Sequence, residues 1–228
     1  NNEIGTIQPI MEIGQICAEN NIPMLVDAAQ TFGKLPISVK NNGISMLAGS
    51  AHKIYGPKGS GFLYKQGDIQ IDPLIHGGGH EMGLRSGTHN VAGIVGLAMS
   101  YRLMLNNQED EKTKLNNHAD DFIKELDNAN LEYLINGPKK GRLPGNLNIC
   151  LKGIDADWLT TMISNIAVAR GSACTSETIQ PSHVLRAIGL SKELASSSIR
   201  FGIGRFNTID EIDYTITKLT ESINKLKK

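Results

Sequence analysis

Ile44-Ser45-Met46-Leu47-Ala48-Gly49-Ser50-Ala51-His52-Lys53-Ile54-Tyr55-Gly56-Pro57-Lys58-Gly59 is the stretch that decides how this chain folds. Residues 44–49 form a short, mostly apolar run that predicts a strand. The strand delivers the chain to Ser50 and Lys53, and Gly56, Pro57 and Gly59 then halt it. A lysine just past a strand end, braked by glycine and proline, is held in place. A Schiff-base lysine needs that placement. Standing alone, a His-Lys pair is more commonly a surface turn.

Outward from this stretch the pattern is that of an open α/β sheet. Upstream, Pro9 opens a helical pattern with Ile10, Ile13 and Cys17 on its apolar face, ending at Asn20-Asn21. Pro23-Met24-Leu25-Val26-Asp27 predicts a buried strand, and Gly61-Phe62-Leu63-Tyr64-Lys65 a third one. Ligands of such sheets bind beyond the carboxyl ends of strands, where Asp27 and residues 50–53 lie. Downstream, Gly77-Gly78-Gly79 opens a loop to about Thr88. Residues 91 to about 129 predict one long helix, with Val91, Ile94, Val95, Ala98 and Leu105 apolar. The remainder alternates: strand 147–151, helix 155–165, loop 169–181, helix 181–188, strand 198–203 and helix 208–227. This predicts residues 1–104 as part of a large α/β domain and residues 105–228 as a smaller α+β domain.

The 228 residues carry 23 Lys+Arg against 23 Asp+Glu, a formal net charge of zero. A general nucleic-acid or membrane-surface binder would need a basic excess, so neither partner is expected. No apolar run approaches the length of a membrane span. Three scattered cysteines, Cys17, Cys150 and Cys174, are too few for a disulfide framework, which points to a reducing, cytoplasmic setting. The chain opens on Asn1 without a lead-in, as a fragment or processed product would.

Val26-Asp27-Ala28-Ala29-Gln30 ends its strand on a carboxylate. Pyridoxal phosphate needs an acid opposite its ring nitrogen to serve as an electron sink. At about 4 Å that pair is worth ~1 to ~4 kcal/mol, depending on the local dielectric. Asp27 also reads as a helix N-cap, and the two roles are compatible. No Cys or carboxylate cluster completes a metal site around His76 and His80, so no metal is expected.

Six motifs carry a family resemblance in order along nearly the whole chain: Asn1-Asn2-Glu3-Ile4-Gly5, residues 26–30, Ser50-Ala51-His52-Lys53, Gly77-Gly78-Gly79-His80-Glu81, Arg85-Ser86-Gly87-Thr88 and Gly171-Ser172-Ala173-Cys174-Thr175-Ser176. Together they resemble the cysteine desulfurases of the class V aminotransferase group, in the branch serving iron–sulfur assembly and nitrogen fixation. The resemblance implies a fold-type-I pyridoxal-phosphate enzyme: part of its large mixed-sheet domain, then a small α+β domain. It implies Lys53 as the cofactor lysine and proton shuttle, and Asp27 as the pyridinium partner. Gln30 and Asn2 are implied around the phenolic oxygen and the substrate, and Ser50 and His52 at the phosphate, with His52 also counted among the catalytic groups. Thr88 would reach the neighbouring subunit's phosphate, implying a homodimer. Arg200 would clamp the carboxylate of L-cysteine, a task suited to its planar fork. Cys174 would take the sulfur as a persulfide, leaving L-alanine, and pass it to an acceptor such as an iron–sulfur scaffold protein.

The residues around Cys174 support that role independently. Gly171-Ser172-Ala173 and Thr175-Ser176 are small and permissive, as the tether of a travelling nucleophile should be. Arg170 and His183 are candidates to favour the thiolate. Cys17 and Cys150 read as packing residues. A related aminotransferase or selenocysteine lyase would account for Lys53 and Asp27 but not for this loop, and a non-catalytic docking fragment would bind no cofactor. By the family pattern, the N-terminal half of the large domain and a C-terminal scaffold-docking extension are missing.

Overall fold

The computed structural model describes residues 1–170 and 181–226, and these form two compact units. One unit comprises residues 9–108. The other comprises residues 109–228 together with the first eight residues of the chain.

In the 9–108 unit, helix α1 (Ile10–Glu19) leads into strand β1 (Leu25–Asp27). Strands β2 (Met46–Ser50) and β3 (Gly61–Lys65) complete a sheet of order β1-β2-β3. The β1–β2 pair is parallel and the β2–β3 pair antiparallel, so the sheet is mixed. Met24, Ala28, Ile44 and Leu47 form its buried core. Helix α1 does not pack through Ile13 as its periodicity suggests: Ile13, Met11 and Ile16 are exposed, and the buried residue is Gly14. A Cβ on Gly14 would meet the Asn42 carbonyl oxygen at 1.9 Å. The helix therefore approaches its neighbouring loop backbone-to-backbone, and Ile10 and Cys17 flank that contact against the core.

The single long helix expected over 91–129 is two helices, α2 (Val91–Asn106) and α3 (Gln108–Asn128). Asn107 breaks it: its Nδ2 donates to the Leu103 carbonyl at 2.8 Å, capping the first helix. Glu109, Asp110 and Glu111 then supply negative charge to the first turn of the second, where the helix dipole favours it. The apolar residues Val91, Ile94 and Val95 are exposed, and α2 buries Gly93, Ser100 and Met104 instead.

The other unit is α+β. Strands β4 (Tyr133–Asn136), β5 (Asn146–Leu151) and β6 (Ser198–Gly202) form an antiparallel sheet in that order. Helices α4 (Ala156–Met162), α5 (His183–Ala187), α6 (Lys192–Ser196) and α7 (Ile209–Leu226) complete it. Every residue of β5 is buried, so both sheet faces are covered. Leu147, Ile149, Leu151, Ile199 and Phe201 join one core with Phe122 and Leu126 of α3 and Ile212, Ile216, Leu219 and Ile223 of α7. The α7 spacing is that of a one-sided apolar stripe. A reciprocal cap starts this helix: Glu211 N donates to Thr208 Oγ1 at 3.3 Å, and Thr208 N donates to Glu211 Oε2 at 3.1 Å.

The opposite sheet face is polar, and residues 1–5 lie against it. Leu143 N donates to the Gly5 carbonyl at 2.8 Å, and Ile4 packs with Leu185 and Ala195 from α5 and α6. Gly137, at φ +83°, permits this approach, because a Cβ there would meet the Ile4 carbonyl oxygen at 2.4 Å.

Candidate active site

The β1–β2 register sets the first half of the site. Asp27 lies opposite Ala48, and Ala28 N donates to the Ala48 carbonyl at 2.8 Å. Ser50 is therefore two residues beyond Asp27 on the neighbouring parallel strand, a Cα separation of about 8 Å from strand rise and spacing. Both residues stand at carboxyl ends, where open α/β sheets bind ligands.

Beyond Ser50 the chain makes a 3₁₀ turn over Ala51–Ile54. Ala51 and Ile54 are 0% and 1% exposed, three residues apart, and they peg the turn into the protein. His52 and Lys53 fall between the pegs and stay accessible, His52 exposed and Lys53 half-buried. Tyr55 then takes the left-handed conformation at φ 63°, and Gly56 N donates back to the Ala51 carbonyl at 2.9 Å. Gly56 has no room for a side chain, since a Cβ would meet Ser100 Oγ at 2.5 Å and the Ala51 carbonyl oxygen at 3.0 Å. The turn that carries Lys53 is thus clamped under α2.

The polar groups are arranged without internal quenching. Lys53 has no hydrogen-bond or ion-pair partner among the described residues. Ser50 Oγ and His52 Nδ1 are 2.8 Å apart. With the serine hydroxyl donating, Nε2 carries the imidazole proton and remains a donor. Asp27 Oδ1 accepts from Ala29 N at 2.9 Å, but residues 29–34 form turns and no helix follows, so Asp27 closes a turn and is not the expected helix N-cap; its other oxygen has no partner among the described residues. Gln30 is half-buried and Thr88 exposed, each without a side-chain hydrogen bond among the described residues.

The remaining sequence candidates lie in the other unit. Arg200, on β6, donates from Nη1 to the Asn2 carbonyl at 3.1 Å. Its backbone pairs with Ala169 through bonds of 2.7 and 3.1 Å. Asn2 meets Arg200 through its main chain, a contact that a reading of side chains alone does not anticipate. Cys174 and its motif, residues 171–176, lie outside the described residues. The described residues on either side are anchored: Ala169 on Arg200, and Ser182 on Glu3, to whose Oε2 the Ser182 hydroxyl donates at 2.8 Å. Arg170 forms an ion pair with Asp157, and His183 is the exposed first residue of α5. Cys150 is fully buried, and burial pushes its thiol above the usual range. Cys17 is partly buried against the sheet core. Among the described residues, no group of three or more His, Cys, Asp or Glu could hold a metal ion, and no helix is long and apolar enough to cross a membrane.

A clamped lysine turn at a strand end, in a mixed α/β unit accompanied by an antiparallel α+β unit, matches the arrangement expected of a fold-type-I pyridoxal-phosphate enzyme. The aminotransferase class-V family matches residues 1–215, and the chain belongs to that family. The cysteine desulfurase IscS of Rickettsia prowazekii (strain Madrid E) is 46% identical over 230 residues, covering 100% of this chain and 56% of the relative. The IscS of Rickettsia bellii (strain OSU 85-389) is also 46% identical, over 229 residues. The crystal structure of a NifS-like protein from Rickettsia africae ESF-5 superposes with a TM-score of 0.89 at 32% identity, covering 98% of this chain and 60% of that one. A structure of SspA in complex with cysteine superposes at 0.73 with 35% identity, covering 91% and 58%. The chain thus spans little more than half the length of the curated relatives that it matches.

Proposed function

We propose that this chain belongs to a cysteine desulfurase that converts L-cysteine to L-alanine and delivers the sulfur as a persulfide on Cys174. The observation that carries the reading is Lys53, without a partner among the described residues, on its clamped turn, with the Ser50–His52 pair before it and Asp27 on the adjacent strand end. The IscS relatives are named as cysteine desulfurases, and the structure of SspA is in complex with cysteine.

The donor set fits pyridoxal phosphate: a free amine, a carboxylate with an open oxygen, and a hydroxyl–imidazole pair. When bound, this cofactor supplies an electron sink. Lys53 would hold it covalently and would move the α-proton of the substrate. Asp27 would keep the ring nitrogen protonated, Ser50 and His52 would take the phosphate, and Gln30 and Asn2 would serve the phenolic oxygen. His52, next to Lys53, also serves in catalysis. Arg200 and Asn2 hold the substrate carboxylate. The Cys174 thiolate attacks the substrate sulfur; the S–S bond forms as the C–S bond breaks, the electron pair stays on carbon, and protonation there gives alanine. Residues 1–104 serve the cofactor and residues 105–228 carry the cysteine. The working enzyme is a cytoplasmic homodimer in which Thr88 reaches the partner's phosphate, and an iron–sulfur scaffold receives the sulfur.

The test is turnover by the full-length protein. Alanine and sulfide should form in equal amounts from cysteine with a thiol reductant present, and Lys53→Ala should abolish both. Pyruvate formed in place of alanine, or turnover that survives Lys53→Ala, would remove the reading.

A further inference from the structure

Asn136, Asn148 and Arg200 are cross-strand neighbours on β4, β5 and β6, so they share one face of the antiparallel sheet. Asn146 and Ser198 belong to the same face, each two residues along its strand. All but Arg200 are nearly sealed from solvent: Asn148 is 1% exposed, Asn136 2%, Ser198 4% and Asn146 9%. Burying amides costs free energy unless they are hydrogen-bonded, and apolar residues of similar shape would serve stability as well. Two of the three amides converge on one target, the backbone of residues 2 and 3. Asn146 Nδ2 donates to the Asn2 carbonyl at 2.9 Å, and Asn148 Nδ2 to the Glu3 carbonyl at 3.2 Å. Asn136 Nδ2 orients Asn148 by donating to its Oδ1 at 2.7 Å, and it also donates to Ser198 Oγ at 2.9 Å. The Asn2 carbonyl that Asn146 fixes is the acceptor for Arg200 Nη1.

We propose that Asn146 and Asn148 are positioning residues for Arg200. They fix consecutive carbonyls of the Asn2–Glu3 backbone, and the first of these holds Nη1. Arginine has a long stem and five donors. Tethering Nη1 limits its rotation and leaves Nε and Nη2 for a carboxylate. The proposal rests on the desulfurase reading, in which Arg200 takes the substrate carboxylate.

The experiment uses the full-length holoenzyme and two probes that need no turnover. L-alanine carries a carboxylate; ethylamine is the same molecule without it. Calorimetric dissociation constants for both give a ratio that reports the carboxylate contact alone. Asn146→Ala should weaken L-alanine binding about tenfold while ethylamine changes by less than about twofold, and KM for cysteine should rise with kcat held within about threefold. Asn148→Ala should act in the same direction, and it decides the matter if Asn146→Ala does not fold. Equal weakening of both probes, or no change in either, would overturn the proposal by reducing the asparagines to scaffolding. Arg200→Lys is measured in parallel. If it collapses the ratio while the asparagine variants do not, only this inference falls. If it leaves the ratio unchanged, Arg200 is not the carboxylate clamp, and both the inference and that part of the desulfurase reading fall.

Discussion

Gly56→Ala should loosen the Lys53 turn, and its size can be worked from the contacts. The new methyl would sit 2.5 Å from Ser100 Oγ, 3.0 Å from the Ala51 carbonyl oxygen and 3.1 Å from the Ala51 Cβ. Ser100 is 8% exposed, and its hydroxyl donates to the Leu97 carbonyl at 2.9 Å. Rotating that hydroxyl away forfeits about 1 kcal/mol of hydrogen bonding. The Ala51 contacts remain, and crowding of this kind costs about 1–3 kcal/mol in total. Replacing glycine returns about 0.4–1 kcal/mol through the unfolded chain. The net is a loss of about 1–2 kcal/mol, taken up by the segment 51–56 that carries His52 and Lys53. In the full-length apoprotein, titration with pyridoxal phosphate followed by absorbance should show cofactor affinity falling about fivefold to thirtyfold, with a lowered Tm. Ser100→Ala removes the nearest oxygen, so adding it to Gly56→Ala should recover at least about 0.5 kcal/mol of the loss. Unchanged affinity and Tm in the single variant, or no recovery in the double, would refute the clamp.

Two of the remaining predictions concern the other unit and one the packing of α1. Burial, with the hydrogen bond and charge of Asp127 behind it, raises the Tyr133 phenol from its ordinary 10.0 to about 12. The folded state therefore keeps a proton that the unfolded chain gives up, so the contribution is complete below pH 10 and lost as pH climbs through about 12. Denaturant titrations of Tyr133→Phe should show a shallower loss of stability across that window, and an identical slope would count against it. Cys150 is 0% exposed with its thiol raised by burial, so iodoacetamide at pH 8 should leave it unmodified in the native protein and label it in denaturant. Native labelling of Cys150 would contradict the packing. Gly14→Ala should destabilise the 9–108 unit by at least about 2 kcal/mol, because a rigid carbonyl 1.9 Å from the new Cβ cannot rotate aside; an unshifted melt would show that α1 packs differently.

The strand-end placement of Ser50, His52 and Lys53 is legible in the sequence because it is local. The apolar run ending at Ser50 and the glycines and proline after Lys53 specify a strand, a turn and a halt. The strand ending in Asp27 is also locally signalled, but it is three residues long and not the buried strand the apolar run suggests, since Leu25 is 61% exposed. What the sequence hid depends on partners distant along the chain. The Val91–Ala129 periodicity continues through Asn107, and the break rests on a side-chain cap. Helix α1 shows an apolar stripe, but it packs through Gly14 because a loop backbone comes close there. Strand β4 and helix α6 went unanticipated; Tyr133-Leu134-Ile135 and the N-cap Ser191, whose hydroxyl accepts from Leu194 N, were the available signals. The buried asparagines look like surface residues until the sheet register lines them up under residues 1–5.

Sulfur transfer from cysteine to Cys174 is the step on which the proposed function stands. The most direct measurement is a mass spectrum of the full-length holoenzyme after one brief exposure to cysteine labelled with heavy sulfur, without reductant, followed by alkylation and digestion. One labelled sulfur atom should appear on the peptide containing Cys174, none on those containing Cys17 or Cys150, and none anywhere in Cys174→Ser. Label on another cysteine, or full alanine production by Cys174→Ser with no labelled thiol, would contradict it.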